Sequence, residues 1–177
     1  MKKILILNGA GKKNGNTAAL IKAFTEGADS AGNEVKEFYL QDMNIHGCLD
    51  CHGCARKQKG DPHPCVQKDD MDQIYEACKE ADVIVFASPV YWFSVTGTLK
   101  TAVDRLYAPQ CNWGAAGFKK ETVFLMTSGS PAEYNPLAVE WYRYFERMLG
   151  WKSLGMVLGT GKTEEARKLG EGIGKGE

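Results

Sequence analysis

The sequence has no excess of charge of either sign. Its 177 residues include 22 lysines and arginines against 22 aspartates and glutamates, so the formal net charge at pH 7 is zero. Proteins that bind nucleic acid or anionic membranes by general electrostatics need a basic excess or a basic stripe. We therefore expect neither nucleic acid nor a membrane among the partners of this chain.

Long hydrophobic runs are also missing. The run from Ile4 to Leu7 ends at Asn8, short of the ~7–15 apolar residues in the core of a signal peptide. The run from Val83 to Ala87 is far below the ~20 residues of a membrane-spanning helix. We expect a cytoplasmic protein, in which thiols stay reduced and structural disulfides are uncommon.

The composition is that of an ordinary globular chain. Hydrophobic residues make up 44% and charged residues 25%, which argues against a disordered or fibrous protein. A typical domain has ~150 residues. We therefore predict a single domain over residues 1–177.

Short apolar runs alternate with segments of helical period along the chain. The predicted strands are Ile4 to Leu7, Glu34 to Leu40, Val83 to Ala87, Thr122 to Met126 and Ser153 to Leu158. Helices are predicted from Thr17, from Asp69, over Ser94 to Tyr107, over Glu133 to Leu149 and over Thr163 to Ile173. This alternation predicts an α/β fold with a parallel sheet and helices on both faces. Five strands fit the flavodoxin-like order 2-1-3-4-5.

In such a sheet ligands bind beyond the carboxyl ends of the strands, between the first and third strands. The first loop there, residues 8–17, contains three glycines and leads into a helix. Glycines let the backbone approach a ligand, and a helix N-terminus offers free amides and a positive dipole. We predict a phosphate cradle with these contacts: Gly11, Lys12, Asn14, Asn16 and Thr17. The alternative is a plain glycine turn in which Thr17 caps the helix.

Two further loops at this edge predict a slot for a planar ring system. Three consecutive aromatic residues follow the central strand, and small residues with free backbone donors follow the fourth strand. An apolar platform beside exposed amides suits a planar ligand. The predicted ring contacts are Pro89, Val90, Tyr91, Trp92, Phe93, Ser128, Gly129 and Ser130.

Four of the six cysteines lie in one stretch without periodicity, predicted as an insertion loop over residues 41–68: Cys48, Cys51, Cys54 and Cys65. The first three have the spacing of a ferredoxin-type run, and the last is the candidate fourth ligand of an iron–sulfur cluster. His52 and His63 lie among them, so zinc competes for the site. A redox disulfide and reduced, unmetallated thiols also remain open. Cys78 is predicted to be a core residue, and Cys111 has no evident partner in the sequence.

Three segments together resemble the NAD(P)H-dependent FMN reductase family: residues 8–17, Ser-Pro-Val-Tyr-Trp at 88–92 and Leu-Lys-Thr-Ala-Val-Asp-Arg-Leu at 99–106. The cysteine run, followed by Cys-Val-x-Lys-Asp-Asp-Met at 65–71, resembles the iron–sulfur flavoprotein-like branch of that family. The resemblance covers nearly the whole chain. It implies a flavodoxin-like fold, bound FMN, and commonly a homodimer or homotetramer.

One departure from the family concerns the phosphate loop. The family usually has Ser-Pro-Arg where this chain has Ala10-Gly11-Lys12. A hydroxyl and a rigid guanidinium are therefore missing. We expect phosphate binding to depend more on backbone amides, Asn16 and Thr17.

The resemblance implies an enzyme that passes electrons from NAD(P)H, or from a reduced carrier, through FMN to a quinone, flavin, nitro compound or similar acceptor. The flavin carries such chemistry, so no catalytic side chain is expected. An alternative is an electron carrier in which FMN and a [4Fe–4S] cluster exchange electrons with ferredoxin-like partners. A weaker alternative is a zinc-binding interaction module. The many aromatic residues of helix 133–149 additionally predict an interface between subunits.

Overall fold

Five strands form one sheet in which all neighbouring strands are parallel. They are β1 (Lys3–Asn8), β2 (Glu34–Tyr39), β3 (Val83–Pro89), β4 (Glu121–Thr127) and β5 (Lys152–Leu158). Their order is β2-β1-β3-β4-β5. This computed structural model describes residues 1–174, with Ala132 and Phe145 described by their backbone alone. The predicted flavodoxin-like sheet with order 2-1-3-4-5 is confirmed.

Helices connect the strands. They are α1 (Asn16–Ser30), α2 (Gly53–Arg56), α3 (Met71–Glu80), α4 (Gly97–Arg105), α5 (Tyr107–Gly117), α6 (Pro136–Leu149) and α7 (Thr163–Gly172). Short 3-10 turns lie at Leu40–Asp42 and Ala132–Tyr134. None of the helices within residues 1–174 has the length and apolar character needed to cross a bilayer.

Several predicted helix boundaries were wrong. The helix predicted over Ser94 to Tyr107 starts at Gly97, because Thr96 Oγ1 caps it by accepting a bond from the Leu99 amide at 3.2 Å. The helix predicted from Glu133 starts at Pro136, a residue that favours the first helical position. The predicted loop 41–68 contains the short helix α2.

Helices cover both faces of the sheet, which explains the continuous apolar runs of its central strands. Every residue from Val83 to Ala87 is fully buried. Successive residues of β3 pack alternately into two hydrophobic clusters. One cluster lies beneath α1 and α7, and the other lies beneath α3, α4 and α6. α1 and α7 approach so closely that a Cβ at Gly27 would lie 2.1 Å from the backbone oxygen of Arg167. The outer strand β2 is half exposed, because it lies at the edge of the sheet.

Candidate functional site

A cleft of about 360 Å³ opens at the carboxyl ends of β1, β3 and β4. Its lining includes ten predicted residues: Gly11, Lys12, Asn14, Asn16, Thr17, Pro89, Val90, Tyr91, Ser128 and Gly129. Ala10, Gly15, Thr127 and Thr160 also line it, and the predictions had omitted them. Three predicted contacts, Trp92, Phe93 and Ser130, are not among its lining residues. The structure therefore brings all three predicted loops to one cleft.

The first loop is fixed against the start of α4. A Cβ at Gly9 would lie 2.6 Å from Leu99 Cβ and 2.7 Å from Thr96 Oγ1, so the position has no room for a side chain. The Gly9 amide donates to Ala87 O at 2.8 Å, and Thr96 Oγ1 donates to Gly9 O at 2.8 Å. These contacts hold the loop in place before any ligand binds.

The N-terminus of α1 faces the cleft without a side-chain cap. Gly15 precedes the helix in an extended conformation, no side chain caps the first turn, and that turn contains no acidic residue. The hydroxyl of Thr17 is buried and bonds with Thr127 Oγ1 at 2.7 Å. The alternative in which Thr17 caps the helix is therefore wrong. An uncapped helix end with free amides is a favourable place for an anion.

The aromatic loop after β3 forms a two-residue hairpin. The Tyr91 amide donates to Ser94 O at 2.9 Å, and the Ser94 amide donates to Tyr91 O at 3.3 Å. Between them Trp92 and Phe93 have φ values of 48° and 70°, which cost L-residues about 1–2 kcal/mol each. The Trp92 side chain is 91% exposed. Strain of this kind is concentrated at functional sites in proteins.

Replacing Trp92 by Asn together with Phe93 by Gly is expected to raise the free energy of unfolding by about 1–2 kcal/mol. Asn-Gly is the preferred pair for a turn with two positive φ values. Urea unfolding with an unchanged m-value measures the gain. The matched control replaces both residues by alanine, which removes the rings but still requires positive φ values of two L-residues. Equal free energies of unfolding for the two double variants would contradict backbone strain at positions 92 and 93.

Gly11 leaves room for the hairpin to pack against the first loop. A Cβ at Gly11 would lie 3.0 Å from the Tyr91 hydroxyl oxygen, closer than nearly all real contacts of that kind. The glycine therefore lets the Tyr91 ring lie over the loop of residues 8–17. This contact accounts for the small residue at a position where the family pattern usually has proline.

Ser128 organises the third loop. Its Oγ accepts bonds from the Ser130 amide at 3.0 Å and from Asn135 Nδ2 at 2.9 Å. Thr160 Oγ1 donates to Ser128 O at 2.8 Å, which ties the loop after β5 to the cleft. Thr160 follows β5, and the carboxyl ends of parallel strands are where ligands bind, so the sequence does carry a signal that this loop reaches the site.

A larger groove of about 780 Å³ lies on the other side of the first loop, between α1 and β2. Charged and polar pairs cross it: Lys13 with Asp42, and Asn8 Nδ2 with Glu37 Oε1 at 2.7 Å. Neither the aromatic loop nor the third loop contributes a residue to the lining of this groove. Its larger size therefore does not make it the better match to the predicted site.

The four clustered cysteines line one pocket of about 40 Å³ together with Arg105 and Tyr107. Cys54 and Cys65 are buried, whereas Cys48 and Cys51 are exposed. Between the exposed pair the backbone turns left-handed at Asp50, with a φ of 49°. Within residues 1–174 no three or more His, Cys, Asp or Glu side chains are arranged as a metal-binding group. The structure thus places the four thiols around one pocket without bringing them to coordination geometry.

The two remaining cysteines differ in their surroundings. Cys78 is fully buried, as predicted, and burial raises the pKa of its thiol to about 12. Burial also raises the pKa of Cys54, and contact with the Cys111 thiol raises it further. Cys111 therefore has a partner, contrary to the sequence interpretation. Cys111 lies on α5, and the sequence had no feature that paired it with α2.

The histidines near the cysteines contact carboxylates. His63 Nδ1 lies 3.4 Å from Asp72 Oδ1, and His63 Nε2 lies 3.4 Å from Glu76 Oε1. His52 Nε2 lies 3.7 Å from Asp50 Oδ1 on the surface. His52 lines the same pocket as the four cysteines, whereas His63 is not among the lining residues.

The end of the cysteine segment is tied to α4 by a buried ion pair. Arg105 Nη1 lies 2.7 Å from Asp69 Oδ2, and Arg105 Nη2 lies 3.1 Å from Asp69 Oδ1. Burial alone would raise the pKa of Asp69, but hydrogen bonds from Arg105 and the His46 amide outweigh it and hold the pKa below its usual value. The carboxylate is therefore ionised and can receive both guanidinium donors.

The outer face of α6 exposes large apolar side chains. Leu137, Tyr144 and Met148 follow one stripe of the helix and are all exposed, as is Tyr134 just before it. This surface suits the interface expected from the aromatic content of the helix. The homodimer or homotetramer stays a prediction, which sedimentation velocity at micromolar concentration tests.

A family model described as NADPH-dependent FMN reductase matches residues 2–161. An iron–sulfur flavoprotein of Archaeoglobus fulgidus is 35% identical over 106 residues, which are 60% of this chain and 46% of that protein. An iron–sulfur flavoprotein of Methanocaldococcus jannaschii is 42% identical over 77 residues, which are 44% of this chain and 37% of that protein. The aligned stretches span less than half the length of these two relatives.

A solved structure of an NAD(P)H:quinone oxidoreductase from Methanothermobacter marburgensis superposes with a TM-score of 0.75. The superposition covers 99% of this chain and 98% of the other, at 21% sequence identity. At this identity the likeness shows a shared fold.

Proposed function

The chain belongs to the NADPH-dependent FMN reductase family, and we propose that it is a flavoprotein oxidoreductase that takes electrons from NAD(P)H. The acceptor is a quinone, a flavin, a nitro compound or a similar small molecule. The observation that carries the proposal is the cleft at the carboxyl edge, where an uncapped helix N-terminus lies beside an aromatic loop. An anion and a planar ring on one ligand match these two features.

The residues of the cleft fit FMN in two parts. The phosphate would lie against the first turn of α1, where the backbone amides, Asn16 and Lys12 offer donors and positive charge. The ring system would lie between the loop of Pro89 to Tyr91 and the loop of Ser128 and Gly129. When bound, FMN supplies the hydride and electron-transfer chemistry.

The side chains of this cleft act by binding and positioning. The Val90 amide donates to Thr127 O at 2.8 Å, which fixes the aromatic loop to the end of β4. The Tyr91 ring lies over Gly11 and joins the two loops that would hold opposite ends of the ligand. We assign no side chain to proton transfer or covalent catalysis.

Anaerobic mixing of the FMN-loaded protein with NADPH or NADH tests the donor. We expect the visible flavin absorbance to bleach with one of the two nucleotides and to return when a quinone is added. Because oxygen is excluded, the amount of quinone reduced can be compared directly with the amount of nucleotide oxidised. Bound FMN that neither nucleotide reduces would contradict the proposed enzyme.

A second candidate function is an iron–sulfur electron carrier that exchanges electrons with ferredoxin-like partners. One observation favours it: Cys48, Cys51, Cys54 and Cys65 all line one pocket. Thiolates are the usual ligands of iron–sulfur clusters. We propose these four cysteines as the ligands of a [4Fe–4S] cluster, and the names of the two archaeal relatives support this choice. Closing the ligand shell requires the exposed segment from Cys48 to Cys51 to move inward.

A further inference from the structure

The side chain of Arg105 lies at the end of α4 and is almost completely buried. Its relative exposure is 1%, and it lines the same pocket as the four clustered cysteines. A buried guanidinium keeps its positive charge under all ordinary conditions. The position therefore places a permanent cation at the wall of a pocket lined by thiols.

The terminal nitrogens of Arg105 account for all its hydrogen bonds within the described residues. Nη1 donates to Asp69 Oδ2 at 2.7 Å and to His46 O at 2.7 Å, and Nη2 donates to Asp69 Oδ1 at 3.1 Å. Nε has no partner in the part of the chain that the structure describes. A buried donor left unpaired costs ~1–3 kcal/mol, and more when the group is charged. A missing acceptor at this point is thus an unusual feature of a fold in which buried polar groups are normally paired.

Two groups other than Asp69 lie near the guanidinium, the Cys65 thiol and the Tyr75 hydroxyl. The Asp69 carboxylate occupies the end of the guanidinium formed by the two Nη atoms. Because the guanidinium is planar with donors in a fixed fork, Nε–H points to a different side. Cys65 is close enough to Arg105 and to Tyr75 to affect the pKa of both groups. Tyr75 itself donates to Arg105 O at 3.2 Å, so its hydroxyl hydrogen is directed to the backbone.

We propose that Arg105 is a positioning residue for the thiolate site, and that its free Nε–H donates toward the ligand sulfurs when the four cysteines hold a cluster. The proposal rests on the iron–sulfur site proposed above. Hydrogen bonds to sulfur and the local net charge are the terms by which a protein sets the potential of such a site. Arg105 therefore raises the reduction potential of the cluster, because both the bond and the positive charge favour the more negative, reduced state.

The direct test compares wild type with Arg105→Lys after anaerobic reconstitution, by redox titration followed by electron paramagnetic resonance. Lysine keeps the charge but has no donor at the place of Nε. We expect unchanged iron per chain and a roughly tenfold fall in the equilibrium constant for reduction, which is about 59 mV for a one-electron couple. Arg143→Lys on the exposed face of α6 is the matched control, with an unchanged potential expected. An unchanged potential in Arg105→Lys would overturn the proposal.

A second variant, Asp69→Asn, separates this role from a purely structural one. It weakens the same ion pair but leaves Arg105 in place and removes a negative charge near the pocket. The proposal predicts a higher potential in Asp69→Asn, opposite in sign to Arg105→Lys. If Arg105 acted only by holding the segment to α4, both variants would shift the potential in the same direction. A lower potential in Asp69→Asn overturns the proposal even if Arg105→Lys does not fold.

Iron analysis of the wild type separates the proposed iron–sulfur site from the proposed role of Arg105. Wild-type protein that holds no iron after anaerobic reconstitution overturns both the iron–sulfur site and the role of Arg105. Wild-type protein that holds iron, with equal potentials in Arg105→Lys and Arg143→Lys, overturns the role of Arg105 alone.

Discussion

Replacing Asn16 and Thr17 together by alanine is expected to weaken FMN binding by about 10² to 10⁴-fold. Hydrogen bonds to a charged group contribute ~1.5–3 kcal/mol each, and every ~1.4 kcal/mol is a factor of ten in affinity. Thr17 carries a second role, because its hydroxyl bonds with Thr127 Oγ1 between α1 and β4. Removing it leaves the Thr127 hydroxyl without that partner and loosens the turn that presents the amides.

Titration of FMN-free protein with FMN, followed by flavin fluorescence at fixed ionic strength, measures this loss. The control is Ser30→Ala at the opposite end of α1, where the hydroxyl bonds with Gly27 O. It removes a hydrogen bond from the same helix far from the cleft, so FMN affinity should not change. An affinity in the double variant equal to that in Ser30→Ala would contradict the phosphate assignment.

Replacing Cys54 by serine is expected to remove the iron–sulfur cluster proposed for the cysteine pocket. Cys54 is one of the two buried thiols of the pocket, and it follows two other cysteines at ferredoxin spacing. Its loss removes one of the four sulfur ligands proposed for the cluster. Iron and acid-labile sulfide, measured after anaerobic reconstitution, should fall from equal amounts in the wild type to near zero.

Cys111→Ser is the matched control for this prediction. Cys111 contacts Cys54 but does not line the pocket, so its variant should keep full iron and sulfide. Loss of iron in Cys111→Ser with retention in Cys65→Ser would show that Cys111 and not Cys65 is the fourth ligand. Full iron in Cys54→Ser would contradict the proposed ligand set.

The sheet could be predicted from the sequence because burial on both faces leaves a pattern that does not depend on distant contacts. The strands at Ile4 and Val83 are continuous apolar runs, as parallel strands between helices require. The position of the cleft followed from the same pattern, since the strand ends fix which loops meet. The glycines within residues 8–17 additionally indicated that the backbone of this loop can approach a ligand closely.

Helix α5 could not be predicted in the same way. Tyr107–Gly117 has no apolar periodicity and contains Pro109 and a break at Gly114. Its position depends on bonds to residues far along the chain: Trp113 Nε1 donates to Asp61 O at 2.7 Å, and Asn112 Nδ2 donates to Cys54 O at 3.2 Å. Such polar contacts across some fifty residues leave no pattern in a single sequence.

The hairpin after β3 was hidden for another reason. Aromatic residues avoid the left-handed backbone, so the sequence argued against the turn that Trp92 and Phe93 form. The paired backbone bonds between Tyr91 and Ser94 impose it. The exposed ring of Trp92 and its absence from the lining of the cleft follow from this turn. Places where local preference and tertiary structure disagree are often functional.

Purification without oxygen, followed by the visible spectrum and by FMN, iron and sulfide analysis, tests whether the protein holds the proposed cofactors. We expect flavin absorbance with stoichiometric FMN, together with a broad brown shoulder from a cluster that contains equal iron and sulfide. Protein that shows no flavin absorbance, and that binds no FMN when the cofactor is added in excess, would contradict the proposed flavoprotein.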